Sequence, residues 1–202
     1  MGIRERREAE KAEMKKKIMD AAIDIIETEG YEKLSIRKIA AQIEYSPTTI
    51  YLYYKDKAEI IADMSNELYN KIFSSAVTII NEKASLSVEE QTRDIMRVFI
   101  KGLCSESEMA KAVMLSGMNV IFANENANCT PTNPAIEMFD NLISNGIYQK
   151  IFRPDIQHSS WMIASALLGF VLSSIANQLH LHHDFDQLAD NFVNILLNGI
   201  KQ

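Results

Sequence analysis

The sequence predicts an all-α protein, built as a three-helix unit with a helix-turn-helix at the N-terminus followed by a larger helical domain. Three observations lead there. Only 4 prolines and 7 glycines interrupt 202 residues, so helix breakers are sparse. Apolar residues recur at steps of three and four along most of the chain, the period of one helix face. Start and stop signals stand at the edges of these periodic runs.

The first helix is expected from about Glu8 to Glu29, with Ile18, Ala21, Ala22, Ile25 and Ile26 on one face and Gly30 placed as the glycine that ends it. A second helix begins after Ser35 as N-cap, with Ile36, Ile39, Ala40 and Ile43 in one stripe. Glu44-Tyr45 breaks it. Ser46-Pro47 is an N-cap followed by proline at the first helical position, which opens a short third helix to about Tyr54. Asp56-Lys57-Ala58-Glu59 has the form of a capping box and starts a long fourth helix, Lys57 to about Asn81. Ser87-Val88-Glu89-Glu90 is a second box, opening a helix to about Leu103. Further helices are expected around 107–122, 134–145, 155–180 and 186–200, separated by Pro131, Pro134, Gly146 and Pro154. The boundary between the two parts is placed so that residues 1–57 form one domain and 58–202 the other.

Composition narrows the function. A hydrophobic fraction of 47% and a charged fraction of 24% are those of an ordinary globular protein. The net charge of −6 is unevenly spread: residues 1–57 carry 12 Lys and Arg against 11 Asp and Glu, while 58–202 carry 9 against 16. The acidity therefore lies in the second part, and the first is free to approach a polyanion. The N-terminus lacks the apolar run of a secretory signal, and Arg6 stands where myristoylation would need Ser or Thr. The apolar stretch Trp161–Leu172 is too short for a membrane span of roughly 20 residues. A cytoplasmic location without membrane attachment is expected. Cys104 and Cys129 have neither metal spacing nor the makings of a disulfide framework. No nucleophile-elbow, phosphate-loop, HExxH or dinucleotide motif occurs, so no catalytic residues, cofactor or metal site are expected and the chain reads as no enzyme. His180, His182 and His183 with Asp184 form the one histidine cluster, and a solvent-facing helix end explains it more simply than a metal.

The runs Ile18-Met19-Asp20-Ala21-Ala22-Ile23-Asp24-Ile25-Ile26, Gly30-Tyr31, Leu34-Ser35-Ile36-Arg37-Lys38-Ile39-Ala40 and Ser46-Pro47-Thr48-Thr49-Ile50-Tyr51-Leu52-Tyr53-Tyr54-Lys55-Asp56-Lys57 resemble the DNA-binding domain of the TetR/AcrR family of transcriptional regulators. The resemblance covers residues 12–65, across three helices and both turns. It implies a ligand-responsive repressor that binds a near-palindromic double-stranded operator as a homodimer and is released by a small apolar effector. Carried onto this sequence, Arg37 reaches a base edge or phosphate, and Ser46, Pro47, Thr48 and Thr49 stand at the start of the recognition helix. Tyr51 and Tyr53 meet phosphates or thymine methyls, Lys57 clamps a phosphate, and Ile50 and Tyr54 face the core. Two positions depart from the family pattern, which often has glycine where this chain has Glu44 and Thr48. The charged arm from Arg4 to Lys17 is mostly a solvated helix end.

The second part is implied to be the effector-binding and dimerisation domain. Along 155–180, Trp161, Ser165, Leu168, Leu172, Ile175 and Leu179 form a helix-packing seam beside a face of small residues, Ala166, Gly169, Ser173 and Ala176. Leu188, Phe192, Ile195 and Gly199 repeat the spacing in the last helix. The dimer interface is assigned to Trp161, Leu168, Leu172, Ile175, Phe192 and Ile195, with an intrachain core as the plainer alternative. Between 60 and 152 the chain is rich in methionine and phenylalanine, which suits an adaptable apolar pocket. Met96, Phe99, Met114, Met118, Phe122 and Met138 are its candidate lining. Arg93 and Arg97, one turn apart, could meet an anionic head group or simply face solvent. The rival reading of the whole chain is a helical ligand- or metal-binding protein in which the helix-turn-helix is only structural.

Overall fold

A computed structural model describes residues 2–82, 85–116, 134–156 and 159–202. Among these the chain is helical, with a single isolated antiparallel bridge between Phe152 and Lys201. It divides into two compact units.

The first unit comprises residues 2–67 together with the described residues from Glu108 onward to 116. Helix α1 (Ile3–Glu29) ends at Gly30, which takes φ 89° and donates its N–H to Ile26 O at 3.0 Å. That positive φ is why glycine stands there. α1 starts well before the expected Glu8, because Arg4–Glu8 and Arg6–Glu10 are ion-paired one turn apart and extend the helix. A 3-10 turn (Tyr31–Lys33) leads to α2 (Ile36–Gln42), where Ser35 accepts the Lys38 N–H at 3.3 Å as the predicted N-cap. α3 (Pro47–Tyr51) packs across α2, and α4 (Lys57–Glu82) contributes its residues up to Glu67 here. α6 (Ser107–Leu115) is tied to α1 by Lys111 Nζ–Glu27 Oε1 at 2.9 Å. Ile18, Ala22, Ile26, Ile39, Ala40, Ile50, Ile60, Ile61 and Met64 are almost wholly buried and form the core.

The second unit holds α4 from Leu68, α5 (Val88–Ser105), α7 (Pro134–Tyr148), α8 (Ser160–Ala176) and α9 (Phe185–Ile200). α5 is central, packed against α7, α8 and α9. It opens with the predicted capping box: Ser87 Oγ accepts the Glu90 N–H at 3.3 Å, and Glu90 Oε2 accepts the Ser87 N–H at 2.9 Å. α7 closes against Phe152, which is fully buried; a Cβ on Gly146 would lie 2.1 Å from that ring, so only glycine fits. Phe170 stacks on Phe192 with centroids 4.4 Å apart, joining α8 to α9. Cys104 is buried and its thiol is pushed up to about 11 by burial, which makes it a poor nucleophile.

Two further helices differ from the sequence expectation for physical reasons. α3 stops at Tyr51 instead of Tyr54, because the chain must turn to bury Tyr54. The 155–180 helix is shorter, Ser160–Ala176: Pro154 opens a separate 3-10 turn (Pro154–Ile156), and Gln178 adopts a left-handed φ of 55°. The far end of the 107–122 helix, Cys129, Pro131 and His158 lie outside the described residues. Among the described residues, no helix is long and apolar enough to cross a membrane and no group of His, Cys, Asp and Glu could hold a metal ion.

Candidate DNA interface and effector cavity

The recognition helix is short, and local bonding positions it. Ser46 Oγ accepts the Thr49 N–H at 3.1 Å and lies 2.9 Å from Thr49 Oγ1, so cap and first turn are held together. Tyr45 N–H donates to Ala40 O at 2.8 Å and closes the turn from α2. Within that turn Glu44 takes φ 59°, the left-handed region that glycine occupies without penalty. Ile50 points inward and is fully buried, and Ala40 beneath it is small enough for α2 and α3 to cross closely.

Outward, Arg37, Ser46, Pro47 and Thr48 are exposed, Thr49 and Tyr53 are half-buried, and Tyr51 is 57% exposed. Two exposed side chains beside them were not among the sequence candidates: Leu52, 75% exposed, and Tyr45. An apolar residue left bare within a tightly packed unit is a contact signal, but it becomes visible only once α3 is known to end early. Lys57, expected at a phosphate, donates Nζ to Tyr31 O at 3.2 Å and lies 4.1 Å over the Tyr31 ring. Its head is thus anchored to the turn after α1, with one further donor direction left for an anion.

Tyr54 fixes the other side of the unit. Its hydroxyl donates to Asp63 Oδ2 at 2.7 Å, the same oxygen that Lys15 Nζ meets at 2.7 Å. Burial, then the Asp63 carboxylate, hold the Tyr54 phenol well above its ordinary range. For Asp63, burial pushes the pKa up, but the hydrogen bonds from Lys15 and Tyr54 outweigh it and the net shift is downward. The recognition helix is therefore followed by a joint linking α1 to α4 through three side chains.

In the second unit α4, α5, α7 and α8 enclose a narrow apolar slot of about 60 Å³. Phe99 and Met138 of the sequence candidates line it, with Ile72, Phe73, Ala76, Ile95, Ala135, Ile136, Phe139, Ala164 and Leu167. Met96 is wholly buried in the packing of α5, Met114 lies on α6 in the other unit, and Met118 and Phe122 fall outside the described residues. Ser160 precedes Ala164 by one turn on the buried face of α8, its hydroxyl buried without a hydrogen-bond partner.

On the same unit, α8 and α9 leave an apolar surface open: Trp161 is 51%, Met162 72% and Ile195 68% exposed, and Leu172 and Leu188 are exposed as well. Leu168 and Phe192 are half-buried, whereas Ile175 is turned inward at 7% exposure and packs within its own chain. A Cβ built on Gly169 or Gly199 meets nothing within 4 Å.

The family model for bacterial regulatory proteins of the tetR family matches residues 18–64, spanning both turns and α3. The chain is 33% identical over 185 residues to the fatty acid metabolism regulator protein of Bacillus subtilis, covering 91% of this chain and 93% of that one. Among solved structures, the fatty acid degradation regulator FadR from Bacillus halodurans superposes with a TM-score of 0.70 at 21% identity, over 92% of this chain and 95% of that one. The transcriptional regulator FadR from Bacillus subtilis in complex with stearoyl-CoA gives 0.69 at 22% identity, over 91% and 98%. With both turns of the helix-turn-helix matched and the likeness running nearly end to end, the chain belongs to the TetR family of DNA-binding bacterial transcription regulators.

Proposed function

We propose that this regulator is a repressor that binds a near-palindromic operator as a homodimer and lets go when the acyl chain of a fatty acyl thioester enters the slot between α4, α5, α7 and α8. The observation that carries the reading is the slot itself, walled wholly by apolar side chains in a chain whose 33%-identical relative is a fatty acid metabolism regulator. In this reading residues 1–57 carry the DNA contacts, and residues 58–202 sense the effector and pair with a second copy.

At about 60 Å³ the slot holds little more than two waters' worth of volume, so a long chain must part the helices. Met138, Phe73, Phe99 and Phe139 can swing to make room, and methionine does so at little cost. α4 forms one wall with Ile72, Phe73 and Ala76, and the same helix begins at Lys57 just after the recognition helix. Displacing that wall is the proposed route from effector to operator, and a coupling of about 1–3 kcal/mol is typical of such regulation.

For the operator, Arg37, Ser46, Pro47, Thr48, Thr49, Tyr51, Tyr53 and Lys57 are the proposed contacts, with Leu52 added as an apolar contact. For the dimer, the exposed face of Trp161, Met162, Leu172 and Ile195, flanked by Leu168 and Phe192, is the proposed seam, and Gly169 and Gly199 leave room for a second backbone. Ile175 is withdrawn from it.

Fluorescence anisotropy with the DNA upstream of the protein's own gene, across a salt series, tests the reading. Binding that weakens with salt, falls roughly tenfold with Arg37→Ala or Thr49→Ala, and is reversed by stearoyl-CoA is the expected result. Equal affinity for scrambled DNA, and for sequences from a random selection, would end the repressor reading.

A further inference from the structure

Beside the apolar slot lies a second, open cavity of about 480 Å³ between α4 and α5, and it is cationic. Lys71, Arg97 and Lys101 line it, with Ser75 and Ser105 as hydroxyls and Asp94 as the acid. Ile72 lines both this groove and the slot. Its side chain lies over Gly102, where an added Cβ would come within 3.1 Å of Ile72 Cγ1. A single isoleucine therefore separates a charged groove from an apolar slot.

Two of the groove's three cations are held from α9, while Lys71 is paired with Glu106 and Ser105. Arg97 Nε meets Asp190 Oδ1 at 2.6 Å, and Lys101 Nζ meets Asp186 Oδ1 at 2.8 Å. Both partners stand one helical turn apart on their own helices, so α5 and α9 are joined by two rungs of charge. The Lys101–Asp186 rung is open to water, its side chains 50% and 75% exposed, whereas Arg97 and Asp190 are 35% and 32% exposed. An exposed pair such as Lys101–Asp186 contributes little to stability. A phosphate carries more charge than a single carboxylate, and it can meet Arg97 through two parallel donors where Asp190 meets Nε. Arg93, the other arginine of the turn-spaced pair on α5, is committed elsewhere, to Glu89 at 2.9 Å and to Asn194.

We propose that the α4/α5 groove receives the phosphate-bearing head of a coenzyme A thioester, its phosphates replacing Asp190 on Arg97 and Asp186 on Lys101 while its acyl chain passes Ile72 into the slot. The inference rests on the acyl-effector reading above. It adds a consequence: the head, on entering, frees the first turns of α9, the helix that carries Leu188 and Ile195 on the open apolar face.

Isothermal titration calorimetry of the full-length protein with stearoyl-CoA, stearate and free coenzyme A tests it. The wild type is expected to prefer stearoyl-CoA to stearate by roughly tenfold or more, and Arg97→Gln and Lys101→Gln each to weaken stearoyl-CoA about tenfold while leaving stearate unchanged. The double variant Asp186→Asn/Asp190→Asn removes the competitors and is expected to bind stearoyl-CoA several-fold tighter, a sign that a merely structural ladder would not give. Unchanged stearoyl-CoA affinity in both Gln variants, or weaker binding in the Asn double variant, overturns the head-group site and leaves the acyl-effector reading standing. Failure of the wild type to bind either stearoyl ligand overturns both.

Discussion

The two units solve opposite packing problems. In the first, isoleucine after isoleucine is buried to near zero exposure, and the starts of α2, α3 and α4 each carry a local device: Ser35, Ser46, and Asp56 Oδ1 accepting the Glu59 N–H at 2.9 Å. β-branched side chains have few rotamers, so such a core has one arrangement. The second unit buries isoleucine too, but its slot adds Phe73, Phe99, Phe139, Met138 and three alanines to Ile72, Ile95, Ile136 and Leu167. In the proposed function the first unit holds its geometry to present Arg37 and Thr48 to DNA, whereas the second yields to an effector. The flexible Phe and Met side chains at the slot match that proposed division of labour.

The largest expected effect breaks the rigid unit. Ile50→Ala should cost about 2–5 kcal/mol, because the cavity beneath α3 cannot collapse onto stiff neighbours; Met138→Leu on the slot wall should cost under about 1.5 kcal/mol. Urea denaturation of both variants reads the contrast directly, and equal losses would erase it. Next in size is Gly146→Ala, which drives a Cβ into the Phe152 ring and should cost about 1–3 kcal/mol. A loss of that size would mark the end of α7 as a stiff part of the second unit.

The joint of Tyr54, Asp63 and Lys15 comes third. Because the Asp63 pKa is lowered in the folded protein from 3.8, its contribution is fully present above the unfolded value and is lost as pH falls through the folded one. Stability of the wild type should therefore drop below about pH 4 more steeply than that of Asp63→Asn, as thermal melts across that range would record. The smallest effect is Glu44→Gly. Relief of the left-handed φ, offset by the freer unfolded chain, should leave a gain of about 1 kcal/mol or less. Operator affinity should rise as well, since a carboxylate beside the DNA phosphates is removed. Unchanged affinity in anisotropy would show that Glu44 faces away from the duplex.

Legibility in the sequence followed the same divide. Local signals placed the starts of α2, α3 and α4 and the box at Ser87 to the residue, since an N-cap is decided by a few neighbouring side chains. Of the stripe Ile36, Ile39, Ala40 and Ile43, the first three are buried and Ile43 is half-buried. The slot was only partly legible, through Phe99 and Met138, because its walls come from four helices distant in sequence. Ala76, Ala135 and Ala164 matter there by being small, which composition does not flag. On α8 the three-four spacing gave a seam but not its orientation: Ile175 fits the period and nonetheless turns inward, while Met162, which does not fit it, is 72% exposed. The groove beside the slot was glimpsed in the spacing of Arg93 and Arg97, but only the folded chain separates the one that lines it from the one held by Glu89.

The chain contains a single tryptophan, and Trp161 stands on the open face of α8 at 51% exposure. All of the indole emission therefore originates at one surface, with no second fluorophore of its kind to dilute it. A half-wetted indole emits to the red of a buried one, so serial dilution of the unlabelled protein, watched at the emission maximum, becomes an optical record of whether that face is covered.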